Sequence, residues 1–589
     1  MPTLVVTNFN IVTAFLGGFI SLFGLVSYLL KERFYLSEAL LSLLVGVAFS
    51  HGANWLRPYE YALGSEENIG LITLYFSRLV LGVQLVLAGV QLPHRYLRTE
   101  WRSLAILLGP GMTIMWISAS LLVWAMVPHL PFLHALAIGA CVTPTDPVLS
   151  NSIVKGKFAD KNIPKELQRL IIAESGANDG LGYPFLFLAL YIIRYNGRHG
   201  IQPVGHGIGL WFGEMWGYTI ILSVLYGAVV GWIAKELLHF AEEKKFVDRE
   251  SFLVFAISIA LFITGTCGMI GSDDVLACFV AGNAFTWDDW FRQETEDDSL
   301  QPTIDLLLNI VVFMWYGAII PWREYRVNDV IPIYRLIFLG VLILLFRRLP
   351  MILAFHRHLK EIDGWRQAVI VGFFGPIGVS AVFYLYVSID FLNQVLVDGQ
   401  VREDAVRLQE VMRIVIWFLA TTSIVVHGLS IPLGKLGYHA PRQLTTALSM
   451  ERSTGRSTER DEPGSVDMRR LQDPASYSRR RNNQNHDRSQ PPTPSTFMLG
   501  QRSQNGLDEP SRPVRIINSP MGGSGAQTPR TPDDIEANAD GHAEHLGHLK
   551  SVDPDENEKL GDMPRQDGGH VHFGVNRQGQ PNGTIQKEE

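Results

Sequence analysis

Apolar residues fill the first three quarters of the chain in long runs separated by short polar stretches, and such runs stop near residue 440. A bilayer core of about 30 Å is crossed by about 20 apolar residues in helical form. By that measure about thirteen runs predict transmembrane helices, near 9–30, 36–52, 70–91, 103–127, 131–154, 167–193, 208–234, 251–270, 273–286, 302–322, 329–355, 365–390 and 408–434. The ninth is short enough to be re-entrant. The first follows an uncharged N-terminus and ends in Tyr28-Leu29-Leu30 without a small-residue cleavage site, so it is expected to be a retained span rather than a leader. The pattern predicts an all-α polytopic membrane protein, with residues 1–440 as the membrane domain.

Residues 441–589 are rich in Ser, Pro, Gly, Asn, Asp and Arg, a composition with too little apolar surface to offset the entropy of ordering. A disordered tail is expected. Its arginines, from Arg452 to Arg481, precede an acidic stretch at Asp553, Asp555, Glu556 and Glu558, a solvated spacer or a lipid-touching segment. Thr493, Thr528 and Thr531 lie beside proline or arginine, as phosphorylation sites often do, and the tail is a place for regulatory proteins to bind.

Basic residues orient such a protein, because cytoplasmic loops collect Lys and Arg. With the N-terminus outside, the inner loops hold Lys31 and Arg33, then Arg95, Arg98 and Arg102, then Lys155, Lys157, Lys161, Lys165 and Arg169, then Lys235, Lys244, Lys245 and Arg249, and finally Arg357, Lys360 and Arg366. Outer loops are poorer, with Arg57, Arg194 and Arg198 typical. The inner loop 287–301 breaks the pattern, carrying Asp288, Asp289, Glu294, Glu296, Asp297 and Asp298 against Arg292 alone. Acidic residues orient weakly, so the tail still comes out cytoplasmic.

Composition narrows the function. Fifty Lys and Arg against 57 Asp and Glu give a net charge of −7, which excludes a nucleic-acid binder that works by overall positive charge. Cys141, Cys267 and Cys278 are scattered in apolar stretches and have no disulfide or metal spacing, so they read as buried hydrophobes. With no nucleotide loop, HExxH or nucleophile-triad spacing, soluble enzyme chemistry has no support and no cofactor is expected.

Ionisable residues inside spans are costly unless paired or hydrated, and so mark function. Thr143-Pro144-Thr145-Asp146-Pro147 interrupts the fifth run; its two prolines, Pro144 and Pro147, block regular helix and free carbonyls beside two hydroxyls and a carboxylate, oxygen ligands suited to a small alkali cation. Glu174-Ser175-Gly176-Ala177-Asn178-Asp179-Gly180 opens the sixth. Glu174 and Asp179 lie about 140° apart around a helix and so take different roles, whereas Ser175 and Asp179 share a face. Gly375-Pro376-Ile377-Gly378 breaks the twelfth run, seven spans after the first break. Corresponding interruptions in two halves point to an inverted-repeat transporter with crossed, discontinuous helices. Arg347 and Arg348 either snorkel to the inner surface or pair with Glu174. Asp273 and Asp274, after Gly271-Ser272, cap an outer loop or serve transport, while Arg78, Glu214, Asp305 and His427 are single ionisable residues of expected structural role.

These motifs resemble the fungal plasma-membrane alkali-cation/proton antiporters of the monovalent cation/proton antiporter superfamily, over roughly residues 5–440, with Gly271-Ser272-Asp273-Asp274 and Phe374-Gly375-Pro376-Ile377-Gly378 similar to the fungal branch. The resemblance implies a homodimer of thirteen-helix protomers with a mobile core domain. It implies that Asp179 binds cation or proton with Asn178 beside it, that Thr145, Asp146 and Ser175 complete an oxygen shell for transported Na⁺, and that Glu174 pairs with Arg347 or Arg348. It raises Asp273 and Asp274 as transport-related acids. Gly375-Pro376-Ile377-Gly378 departs from the animal exchangers, which carry an arginine between the glycines. The implied activity is exchange of cytoplasmic Na⁺, Li⁺ and K⁺ for external H⁺ by alternating access at the plasma membrane, or else at an endosomal one, giving salt tolerance and pH homeostasis. A transporter-like sensor signalling through its tail and a proton-coupled carrier of organic solutes are the alternatives.

Overall fold

The apolar runs fold as helices because, in hydrocarbon, a helix satisfies its own backbone groups. The structure is a computed structural model describing residues 7–28, 36–147, 149–150, 163–195 and 204–454, with the side chains of 27, 28 and 431–454 outside that description. Lys31, Arg33, Lys155, Lys157, Lys161 and Arg198, and the tail from residue 455, lie outside the described residues.

The helices are α1 (Asn8–Tyr28), α2 (Glu38–Gly52), α3 (Glu66–Gln91), α4 (Trp101–Met126) and α5 (Phe132–Cys141). The sixth pass is a pair, α6 (Lys165–Gly180) and α7 (Gly182–Tyr195). Then come α8 (Val204–Glu243), α9 (Arg249–Met269), α10 (Asp274–Phe285), α11 (Leu300–Ile319) and α12 (Ile333–His358). The twelfth pass is split into α13 (Trp365–Phe373) and α14 (Val379–Asn393), and α15 (Glu403–Thr454) closes the described chain. Among the described residues eight helices are long and apolar enough to cross a membrane, and shorter apolar helices with the α6–α7 pair account for the remaining runs. The backbone of α15 passes residue 440 without interruption. A small antiparallel hairpin, β1 (Leu396–Val397) and β2 (Gln400–Val401), joins α14 to α15.

Side chains set the ends and the contacts. The Ser65 hydroxyl accepts from the Asn68 amide at the start of α3, and Asp248 does the same for Ser251 at α9, 2.7 Å away. Glycine lets helices touch backbone to backbone: a Cβ on Gly46 of α2 or Gly317 of α11 would collide with a carbonyl of the facing helix, at Met314 and Leu43 respectively. Gly227 and Gly231 of α8 meet Ala277 and Ala281 of α10 in the same way. Helix α3 and the Glu403–Ser430 part of α15 are largely buried, whereas α1 buries only Phe23 among its described side chains. Cys141, Cys267 and Cys278 are buried free thiols.

The result is an all-α polytopic membrane fold in which two discontinuous helices cross. The fifth pass unwinds between Cys141 and Pro147, the twelfth between Phe373 and Val379, and the two breaks meet: the Asp146 amide donates to the Pro376 carbonyl at 3.0 Å.

Candidate cation site at the helix crossing

Unwinding leaves backbone groups with no partner in their own helix, and a buried group without one costs about 1–3 kcal/mol. At this crossing the orphans are met by side chains from three other passes. Arg347 and Arg348 stand at an interruption of α12, two residues before Pro350. Arg347 donates through Nη1 to the carbonyls of Val142, Thr143 and Pro144, the last two at 3.2 Å, and through Nη2 to the carbonyl of Gly375. One guanidinium thus holds both breaks together. Arg348 donates to both carboxylate oxygens of Glu174, Nη2 to Oε2 at 2.8 Å, and through Nε to the Val371 carbonyl at 3.2 Å. Both arginines are buried, which removes the snorkelling alternative.

From α15, Ser423 and His427 serve the other side of the twelfth-pass break. The Ile377 amide donates to the Ser423 hydroxyl at 2.7 Å, and His427 Nε2 lies 3.0 Å from the Phe373 carbonyl. Its Nδ1 lies 2.9 Å from the Ser423 carbonyl and 3.1 Å from the Ser423 hydroxyl, so the ring bridges the carbonyls of two passes. Asp146 completes the set by accepting the Val379 amide on Oδ2 at 2.6 Å. The glycines follow from this crowding: a Cβ on Gly378 would collide with the Asp146 carboxylate, and one on Gly375 with the Arg348 side chain.

Helix α6 presents four polar residues to the crossing, all buried. Asn178 grips Thr145 twice, its Oδ1 accepting the Thr145 amide at 3.1 Å and its Nδ2 donating to the hydroxyl at 2.8 Å. Ser175 lies 3.1 Å from the Thr145 hydroxyl and 3.3 Å from that of Ser150. Glu174, on another face, is taken by Arg348. Asp179 is different: 1 % exposed, it makes no hydrogen bond with either oxygen, and its polar neighbours are Asp146, Asp273 and the unpartnered hydroxyl of Ser380. Its backbone carbonyl accepts from the Tyr384 hydroxyl, which is 3.3 Å from that of Gly180.

The structure therefore gathers Thr145, Asp146, Ser175, Asn178 and Asp179 in one place, with Pro144, Pro147, Gly375, Pro376 and Gly378 forming the two breaks, and it gives Glu174 to Arg348 rather than Arg347. Asp273 and Asp274 are buried rather than set in an exposed loop. Asp273 caps α10 by accepting the Leu276 amide at 3.0 Å and leaves Oδ2 without a partner, while Asp274 pairs with Arg78 of α3 at 2.8 Å. Sequence reasoning missed Ser150, Ser380, Tyr384 and Ser423, neutral residues in apolar runs with no motif around them. His427 was visible only as a lone histidine.

A cavity of about 1060 Å³ opens beyond the crossing, where α2 and α11 end and α3 and α15 begin. Its lining includes Tyr386, two residues along α14 from Tyr384, and Asp390, Glu66, Glu324 and Arg413. Arg413 ties Glu66, at 3.0 Å, to Glu324 across it.

Comparison with known proteins places the fold and the family. The family described as sodium/hydrogen exchanger, transmembrane, matches residues 12–433. The chain is 37% identical to Na(+)/H(+) antiporter 2 of Zygosaccharomyces rouxii over 77% of its own length and 55% of the relative's. It is 39% identical to a probable Na(+)/H(+) antiporter of Schizosaccharomyces pombe, over 75% and 57%, and 31% identical to a second antiporter of that yeast, over 70% and 88%. It spans just over half the length of the first two. The solved sodium proton antiporter MjNhaP1 of Methanocaldococcus jannaschii shares the fold, with a TM-score of 0.51 at 16% identity over 72% of this chain and 98% of that one.

Proposed function

The chain belongs to the transmembrane sodium/hydrogen exchanger family, and on that premise we propose that it is a secondary transporter exchanging cytoplasmic Na⁺, Li⁺ and K⁺ for external protons, with Asp179 as the residue that cation and proton share. The observation that carries this reading is Asp179 itself, a buried carboxylate that no cation pairs among the described residues and that has the Ser380 hydroxyl as a neighbouring donor, beside a set of hydroxyl and amide oxygens. A bare carboxylate is costly there, and a bound proton or cation removes the cost. Competition for one site then couples the two flows, since either loaded form can reorient and the empty charged form cannot. Thr145, Ser175 and Asn178 would supply neutral oxygens to transported sodium, directly or through water, and Asp146 stays anchored to the Val379 amide.

Glu174 with Arg348, and Arg347 with the freed carbonyls, act as the frame that keeps the breaks unwound. Asp273, near Asp179 and with a free oxygen, serves as a second stop for protons, while Asp274 is held by Arg78. The cavity beside Tyr386 is the outer vestibule, and the plasma membrane the site of action, with the N-terminus outside, the tail in the cytoplasm as an unstructured domain that binds regulators, and two chains forming a homodimer. The physiological result is salt tolerance and control of internal pH.

The test is proton movement in proteoliposomes under a preset pH gradient. Sodium, lithium and potassium should each collapse the gradient with wild type and fail with Asp179→Asn. Exchange that survives Asp179→Asn in folded protein defeats the assignment, and wild type that moves nothing returns the chain to the sensor or organic-solute readings.

A further inference from the structure

Seven residues beyond Ser77, whose hydroxyl meets that of Tyr316 at 2.6 Å, α3 carries Gln84 into a second polar cluster with α11. Gln84 Nε2 donates to Asn309 Oδ1 at 2.6 Å and to Asp305 Oδ1 at 3.2 Å. With both amide hydrogens taken, the orientation of the amide is set: turning it over would place its oxygen against two acceptors. Its Oε1 is consequently pinned, and it is buried in a residue 2 % exposed with no hydrogen-bond partner. The side chain whose nitrogen bridges a carboxylate and a second amide oxygen thus keeps a buried, unpartnered oxygen of its own, and a hard monovalent cation taken up at this oxygen-rich cluster would satisfy a group that otherwise costs about 1–3 kcal/mol.

The position of the cluster adds to this. Asp305 stands five residues from the start of α11 and Gln84 seven from the end of α3, so the cluster is about 10 Å in from those helix ends. It lies beneath the acidic 287–299 connector. Three acids there are matched, Asp288 with Lys235, Asp289 with Arg292 and Asp298 with Arg249, whereas Glu294, Glu296 and Asp297 are exposed and form no ion pair among the described residues. That excess of exposed negative charge stands at the helix ends nearest the cluster, where it raises the local cation concentration. Further along the α3–α11 seam, Tyr316 is within electrostatic reach of Asp146 at the helix crossing.

We propose that Gln84, Asn309 and Asp305 form a second alkali-cation site, a waiting station between the acidic connector and Asp179. It rests on the reading of the chain as a cation transporter, and its location on α3 and α11 keeps it outside the residues of the crossing.

The experiment is equilibrium binding of ²²Na⁺ to the purified full chain at mildly alkaline pH, alongside exchange in proteoliposomes. Asp179→Asn should retain saturable binding of one sodium ion per chain, displaced by lithium. Adding Gln84→Leu, which removes the orphan oxygen, or Asp305→Asn, which keeps shape and removes charge, should each lower that affinity at least about tenfold. The proposal is overturned if Asp179→Asn binds no sodium while wild type still binds and exchanges it, as when the cluster holds only water. It is equally overturned if the retained binding ignores both added substitutions. Wild type that exchanges nothing defeats the transport reading instead, and the binding result in Asp179→Asn is read separately from it.

Discussion

Arg348 and Glu174 form a two-pronged ion pair buried among the crossing helices, with Nη2 and Oε2 2.8 Å apart and both residues at most 3 % exposed. Such a pair gives little net stability over an apolar substitute, yet breaking it leaves a buried charge unmatched, at about 3–5 kcal/mol. Glu174→Ala or Arg348→Ala should each lower the thermal midpoint of the purified protein sharply, while Glu174→Gln with Arg348→Gln should recover part of the loss. A double variant no more stable than the singles would show that the charges are not a closed pair.

Gly378→Ala places a methyl group on the Asp146 carboxylate. Overpacking of this kind costs about 1–3 kcal/mol. Because the displaced group is the one that accepts the Val379 amide, exchange should fall by more than tenfold with the protein still folded, measured as initial proton flux in liposomes. Gly364→Ala, where nothing stands within 4 Å, is the control and should leave flux unchanged.

Ser423→Ala removes the acceptor of the Ile377 amide and the hydroxyl that meets His427 at once. An orphaned buried amide predicts a loss of about 1–3 kcal/mol. Ser423→Thr, which keeps the hydroxyl, should retain most of it; equal losses in thermal unfolding would point to packing instead.

Glu361 lies in the connector after α12, outside the spans, with the Ser103 hydroxyl 2.8 Å from Oε2 and Glu100 beside it. Burial pushes its carboxyl up from the ordinary 4.5, the Ser103 hydroxyl opposes the rise, and Glu100 adds to it. Lys360 pairs with Glu100 at 2.6 Å. A carboxyl with a raised folded value stabilises fully below its unfolded value, and that contribution disappears as pH climbs through the folded one. Between about pH 4.5 and pH 7.5 wild type should therefore lose more thermal stability than Glu361→Gln. Parallel curves would dismiss the effect.

The spans and both breaks were legible in the sequence because they obey local rules. Hydrocarbon demands long apolar helices, and proline or paired glycine inside such a run stops the helix wherever it lies. The separation of Glu174 from Asp179 was legible too, since it is only helical geometry. What the sequence left open is the choice between adjacent, chemically identical side chains. Arg347 and Arg348 differ by one position, and only the interruption of α12 at that point aims one at carbonyls and its neighbour at a carboxylate. The same holds for Ser423 and Gln84: neutral polar residues in apolar helices carry no local signal, and their roles exist only once a distant backbone amide, a carboxylate or another helix is brought within about 3 Å. Local chemistry determined where the chain crosses and where it breaks, and tertiary packing decided which partner answers each broken hydrogen bond.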